Sequence, residues 1–509
     1  MPSKVYSAAI VGLDAKLVEV EMDVSHGLRS FSIVGLPDKA VEESKDRIEA
    51  AIKSSKLLSP HDRSFRILVN LAPADLKKEG SLYDLPIALA FLLSSNQTNF
   101  NPENKIFLGE LSLDGKLRHA KGALSFALLA KNIGFKEIIL PKQNAKEAAL
   151  VKDIKIIGAE SLSETIAYLE NRKQIEPFSQ KDSSAETIDE NWYNSIDISW
   201  IKGQEYAKRA LEISAAGGHN LFFFGPPGGG KSLLAKSLPS ILPPLTFAES
   251  LEVTKIYSVA GLLPENQNLI NYRPFRSPHH TLSEVALIGG GNPPKPGEMT
   301  LAHRGVLFLD EFPEFHRDAL ESLRQPIEDG KITISRAKNT FTFPSRFMLI
   351  AASNPCLCGY LNSPERPCTC TNSQVSMYKR KLSGPLMDRI DIFIEVPAVK
   401  YEKLAGQGLE NQSKNLRENI TKAREIQKER FKNDKILVNS EMNIPEIKKY
   451  CQHDFKSQNL LKKYVDSGKL SARGYHRILR VAKTISDLAE AENIQHEHIA
   501  EALMYRIRD

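Results

Sequence analysis

Asn220-Leu-Phe-Phe-Phe224 runs straight into Gly225-Pro226-Pro227-Gly228-Gly229-Gly230-Lys231-Ser232, and a segment of helical spacing follows. An unbroken apolar run of this kind reads as a parallel strand covered on both faces. The next eight residues fit G-x-x-x-x-G-K-[ST] in the strand–loop–helix context the motif requires. Glycines there let successive backbone N–H groups wrap phosphate oxygens, and the helix N-terminus adds partial positive charge. The motif assigns Gly225, Pro226, Pro227, Gly228, Gly229 and Gly230 to a phosphate cradle. It assigns Lys231 to the β- and γ-phosphates and the Ser232 hydroxyl to Mg²⁺. ATP and Mg²⁺ are the expected cofactors.

Such a loop needs acidic residues at the end of a neighbouring strand, and Val306-Leu-Phe-Leu-Asp310-Glu311 supplies them. Asp310 is expected to hold Mg²⁺, directly or through water, and Glu311 to orient and polarise the attacking water. An acidic strand end can also be mere solvation; the apolar strand before it and the loop upstream favour the functional reading. Glu311 favours hydrolysis over plain nucleotide binding. A third apolar run, Phe347–Ala351, leads to Asn354, which would place water beside the γ-phosphate or simply turn the chain before Pro355.

The chain has 509 residues, 41% hydrophobic and 26% charged, which excludes a mostly disordered or fibrous protein and suggests two to four domains. Residues 1–170 alternate strand candidates (Phe31–Val34, Phe65–Asn70, Glu137–Leu140) with helical segments (Lys39–Ser54, Asp84–Leu93), as an α/β domain would. Residues 171–195 are polar and aperiodic, hence a linker. Residues 196–398 form a second α/β domain, and 399–509, rich in Lys, Glu, Leu and Ala at helical spacing, a helical C-terminal domain. No apolar run reaches ~18 residues and the N-terminus has no signal-peptide core, so a cytoplasmic protein without a membrane span is expected. Five cysteines are too few for a disulfide scaffold. A net charge of +6 permits a nucleic-acid partner without establishing one.

Four of the five cysteines form Cys356-Leu-Cys358 and Cys368-Thr-Cys370. Thiolates so spaced can close a tetrahedral Zn²⁺ site in a loop with no core of its own; free thiols or a redox pair are the alternatives. Between Asp310 and Asn354, Lys331–Phe343 alternates apolar and polar residues about a short turn, which predicts a β-hairpin. Its turn carries Arg336 and Lys338, suited to DNA phosphates.

These motifs together resemble the AAA+ ATPases. Gly384-Pro-Leu-Met-Asp-Arg389-Ile-Asp391 resembles the arginine-finger segment of the magnesium-chelatase and MCM-like branch. That implies Arg389 acts on a neighbouring subunit's nucleotide; an internal salt bridge with Asp391 is the alternative. Ser471-Ala-Arg473 opens a helix similar to the sensor-2 segment, with Arg473 the first choice and Arg477 the second. The long stretch between Ser232 and Asp310 looks like an insertion over roughly 257–303, and both it and the hairpin resemble the helix-2 and pre-sensor-1 insertions of that branch.

The first 170 residues carry Phe31-Ser-Ile-Val-Gly-Leu-Pro37, Asn70-Leu-Ala-Pro-Ala-Asp75, Gly80-Ser-Leu-Tyr-Asp-Leu-Pro86 and Gly109-Glu-Leu-Ser-Leu-Asp-Gly115. With these, nearly the whole chain resembles the ComM/YifB family of magnesium-chelatase-like proteins. The resemblance implies a Lon-protease-like N-terminal fold (ribosomal S5 domain 2-like). Leu82 and Leu124 fall where the Lon dyad has Ser and Lys, so that domain is expected to be catalytically dead, with Ser81 one place off register. It further implies a homohexameric, ATP-driven helicase that migrates branches on single-stranded or branched DNA during natural transformation. A metal-chelatase-like ATPase and a protein-remodelling ATPase are the alternatives.

Overall fold

A computed structural model describes residues 2–179, 196–264, 267–291, 294–335, 340–362, 366–382, 384–399 and 412–506. Arg336 and Lys338, most of the linker 171–195 and the first part of 399–509 lie outside these residues. The chain divides into two compact units, Met1–Thr187 with Ser250–Ile270, and Ile188–Glu249 with Asn271–Asp509. Ser250–Ile270, which lies within the expected ATPase segment 196–398, packs with the first unit.

The first unit is built on a seven-stranded mixed sheet in the order Ser30–Val34, Phe65–Ala72, Asp14–His26, Ser3–Val11, Lys105–Phe107, Glu137–Pro141, Lys155–Ala159. Its centre is a long antiparallel hairpin, Ser3–Val11 against Asp14–His26, turning at Gly12 with φ +67°. Val18, Val20 and Met22 face the core while Glu19 and Glu21 alternate outward, the period of a half-buried strand. The helix Asp84–Ser94 is apolar nearly all round and buried from Asp84 to Leu92, which makes it a core helix. Each large apolar side chain it buries is worth about 1.5–3 kcal/mol.

Ser250–Ile270 docks on this unit through polar bonds. Ser258 donates to the buried Glu147 carboxylate and accepts from the Gly122 N–H at 3.0 Å. Lys255 reaches Asp14 at 2.5 Å. Burial pushes the Glu147 carboxyl up, against the bonds from Ser258 and the Leu124 N–H. Leu124 is fully buried and Leu82 packs beside the same cluster. Ser81 donates to Glu110, and Lys78 donates to the Pro73 carbonyl, so these two side chains are engaged with different partners.

The second unit holds a five-stranded parallel sheet in the order Phe275–Arg276, Val306–Leu309, Met348–Ser353, Leu221–Phe224, Ile392–Glu395. The apolar runs read from sequence are its three central strands. A parallel sheet needs cover on both faces, and helices Glu205–Gly217, Gln412–Arg430 and Ala472–Leu488 contribute to one continuous core with it. Ile478, Ala482 and Ile485 form the apolar stripe of the last helix. The helical C-terminal region thus shares its core with the sheet.

Lys331–Ser335 pairs with Thr340–Pro344 in antiparallel register, Ile332 opposite Phe343 and Ser335 opposite Thr340. Ile332 and Phe343 are buried at its root. Among the described residues, no helix is long and apolar enough to cross a membrane.

Candidate functional site

In a parallel sheet the loops after the strands gather at one edge, and three of them carry the sequence-marked residues. Gly225 follows Phe224, Asp310 follows Leu309, and Asn354 follows Ser353. Gly225 is required by close approach: a Cβ there would lie 2.1 Å from the Val396 carbonyl oxygen. Gly228 and Gly230 have φ of +78° and +88°, and an added Cβ would meet nothing within 4 Å at either. Together these glycines shape a loop with an open concavity over the first turn of helix Lys231–Ser237. That is the form a phosphate group fills.

Lys231 is buried, and burial pushes its ammonium pKa down while Asp310 opposes the shift. Its Nζ donates to the Gly225 and Pro226 carbonyls at 2.7 and 2.8 Å and to Asn354 Oδ1 at 3.1 Å. Ser232 Oγ donates to Asp310 Oδ2 at 2.5 Å. A hydroxyl and a carboxylate so paired can bind one hard divalent cation, with waters completing its shell. Four residues singled out from sequence, Lys231, Ser232, Asp310 and Asn354, therefore meet at one point.

Glu311 has φ +48°, a left-handed conformation uncommon for a residue with a Cβ. Its exposed carboxylate pairs with His280 Nδ1 at 3.0 Å. Sequence reasoning did not connect His280 to the site. The available signal was indirect: Phe275–Arg276 pairs beside Val306–Leu309, so the residues after both strands converge.

The four clustered cysteines come together directly after Asn354, their Sγ atoms all within 4.8 Å of one another. Cys356 to Cys358 is 3.3 Å, Cys358 to Cys368 3.4 Å and Cys356 to Cys368 3.7 Å, with no disulfide. Zinc thiolates of a tetrahedral site stand about 3.8 Å apart, so the cluster has the dimensions of such a centre. Backbone N–H groups of Tyr360 and Thr369 aim at Cys358 and hold its thiol well below the usual range.

The two arginines of interest lie elsewhere. Arg389 precedes Ile392–Glu395, whose register against Leu221–Phe224 puts Arg389 at the edge of the sheet opposite the phosphate loop. Four residues of strand, about 13 Å, separate the two edges. Arg389 is buried, with Nη2 at 2.8 Å from Glu328 and Nη1 donating to the Pro385 carbonyl at 2.6 Å. The alternative partner Asp391 instead binds Arg477 at 2.6 Å and accepts from the Asn220 N–H at 3.0 Å. Arg473, Arg477 and Arg480 line a cavity of about 590 Å³ at that same opposite edge, with Gly218, Asn220 and Asp391. Arg477 is thus engaged internally.

Comparison with known proteins follows the same outline. The family described as "Magnesium chelatase, subunit ChlI" matches residues 197–404, "Subunit ChlI of Mg-chelatase" matches 20–144, and "Magnesium chelatase, subunit ChlI C-terminal" matches 410–506. Competence protein ComM of Haemophilus influenzae is 42% identical over 506 residues, covering 99% of this chain and 97% of that protein. YifB of Escherichia coli is 40% identical over 509 residues, covering 100% and 97%. DNA replication licensing factor Mcm2 of Drosophila melanogaster is 26% identical over 210 residues, 38% of this chain and 20% of that protein. The chain belongs to the ComM/YifB family of magnesium-chelatase-like proteins.

Proposed function

We propose that this protein is an ATP-hydrolysing AAA+ motor that works on DNA as a ring of identical subunits. The observation that carries the reading is the division of its site residues between two opposite edges of one sheet. Lys231, Ser232, Asp310, Asn354 and Glu311 gather at the edge that would bind ATP and Mg²⁺. Arg389 stands at the other edge, where a neighbouring subunit's nucleotide could meet it, and the sensor-2 candidate Arg473 lines the cavity at that edge.

On this reading Lys231 exchanges its carbonyl bonds for β- and γ-phosphate oxygens, and the open concavity at Gly228 and Gly230 accepts the phosphates. Mg²⁺, held through Ser232 and Asp310, would neutralise phosphate charge. Glu311 orients the attacking water and takes its proton; His280 must yield that carboxylate first. Asn354 fixes water beside the γ-phosphate. Arg389 of one subunit stabilises the developing charge on the next. The four cysteines hold one structural Zn²⁺.

DNA is favoured over a tetrapyrrole or a protein by the family's competence-named member and by the partial likeness to a replication licensing factor. Single-stranded or branched DNA, a homohexameric ring, branch migration during natural transformation and a cytoplasmic location follow from the ComM resemblance. The N-terminal unit would be a catalytically inert, Lon-like collar. Arg336 and Lys338, which in sequence lie between the paired strands Lys331–Ser335 and Thr340–Pro344, would grip phosphates in the ring's pore. The test is ATP turnover measured with a DNA panel from single strand to four-way junction. Stimulation by branched DNA that disappears in an Arg336→Ala, Lys338→Ala double variant supports the reading; stimulation only by protein or porphyrin partners overturns it.

A further inference from the structure

The four-cysteine loop touches the nucleotide site on two sides. Upstream, Cys356 is two residues from Asn354, whose side chain bonds Lys231. Within the loop, Gly359, at φ +84°, packs against the phosphate loop itself: a Cβ there would lie 2.7 Å from Pro227 Cδ and 3.9 Å from Asn354 Cγ.

Downstream, Thr371 caps the helix Asn372–Lys381 immediately after Cys370. That helix buries Tyr378, whose hydroxyl faces the Asn354 backbone N–H and feels the Glu311 charge. Its Lys381 donates to the Pro313 carbonyl at 3.2 Å, two residues beyond Glu311.

Among its described residues the loop shows little apolar cover. Of its cysteines only Cys356 is buried, and Leu357, its apolar residue nearest the cluster, is exposed. A segment without a core keeps one shape when a metal closes it, and the metal's binding energy becomes the energy that fixes the segment.

We propose that metal occupancy of the four-cysteine centre sets the protein's affinity for ATP, by bracing Pro227 and Asn354 against the phosphate loop. The inference rests on the reading that the cysteines bind a metal. With the metal bound, Gly359 backs Pro227, and Asn354 is held between its bond to Lys231 and its packing against Gly359. Without it, the loop loses its closure and both contacts slacken, while the sheet, whose core lies elsewhere, stays folded. Nucleotide binding would then follow the state of the thiols: agents that strip zinc or oxidise the cysteines would lower ATP affinity without touching Lys231 or Asp310.

The experiment uses the full chain. Zinc content is measured by colorimetric release, MgATP affinity by calorimetry, and the fold by thermal unfolding, before and after chelation and after zinc is returned. The expected result is one zinc per chain and an ATP dissociation constant that rises about tenfold on stripping. It should return to its starting value with zinc, while the main unfolding transition is retained. Gly359→Ala separates the contact from the metal: it should keep full zinc and still bind ATP several-fold more weakly.

If the protein neither contains nor takes up zinc, the metal reading falls and this inference with it. If zinc binds with the expected stoichiometry but stripped protein and Gly359→Ala bind ATP as tightly as the zinc-loaded parent, the metal reading stands and the coupling is overturned.

Discussion

Replacing Asp391 by Ala should damage the second unit more than any single change at the phosphate loop. Its carboxylate is buried, bonded to Arg477 at 2.6 Å and to the Asn220 N–H at 3.0 Å, at the start of the strand that leads into the loop. Burial pushes the carboxyl up, and the Arg477 charge, then His219, more than offset this, so it sits well below the usual carboxylate range. Removing one member of a buried pair leaves an uncompensated charge at a cost of about 3–5 kcal/mol. An orphaned buried N–H belongs to the same loss, so Asp391→Ala should cost about 4 kcal/mol. Asp391→Asn keeps an acceptor for the Asn220 N–H but leaves the Arg477 charge uncompensated, and should cost about 3 kcal/mol. A group whose folded pKa is depressed supplies stability above its unfolded pKa, near 3.9, and loses it as pH falls from there toward its folded value. The wild type should therefore lose this contribution below about pH 4, and Asp391→Asn should not. Denaturant unfolding, with Arg477→Met completing a double-mutant cycle, measures the coupling. A loss below about 1 kcal/mol, as at an exposed pair, would refute the reasoning.

Lys231→Ala and Glu311→Gln should fail differently: the first loses a phosphate ligand and binds ATP weakly, the second binds ATP normally and does not turn it over. Equilibrium binding beside steady-state turnover tells them apart, and normal turnover by Glu311→Gln would sink the assignment. Arg389→Ala should lower hydrolysis by about 10³-fold with ATP affinity near that of the parent, and mixing it with Lys231→Ala protein should restore some activity. No recovery in mixed rings known to form counts against action between subunits. Ser258→Ala should destabilise the first unit by about 1–3 kcal/mol, because it strips a donor from a buried carboxylate, and a thermal transition unmoved by the change would contradict the packing described.

What was legible in the sequence is what is local. Leu221–Phe224 and Val306–Leu309 are short apolar runs ending in chemistry-bearing residues, and a parallel sheet turns that pattern directly into a shared edge. The cysteine cluster is equally local, because 12 positions separate Cys356 from Cys368. The hairpin Ser3–Val11 with Asp14–His26 was not read, because Ser7-Ala8-Ala9 are all buried and break the alternation that Val18, Val20 and Met22 display. His280 was missed because its link to Glu311 passes through strand order, which sequence spacing does not encode. Arg389 and Asp391, two positions apart, suggested each other as partners; the helix Ala472–Leu488 brings Arg477 to Asp391 instead. Nothing within Phe247–Ala260 marks that its residues from Ser250 onward pack with the first unit.

That last feature bears on how the protein is made. A domain encoded by one uninterrupted stretch can finish folding as soon as its end leaves the ribosome. Here the first unit is incomplete until Ile270 has been synthesised, by which time the phosphate loop has already been made. A nascent chain that ends before Lys255 leaves Glu147 without the Ser258 hydroxyl and Asp14 without Lys255. The two units are thus interleaved in time, and a single cut anywhere between residues 187 and 250 yields an N-terminal fragment that lacks part of its own packing.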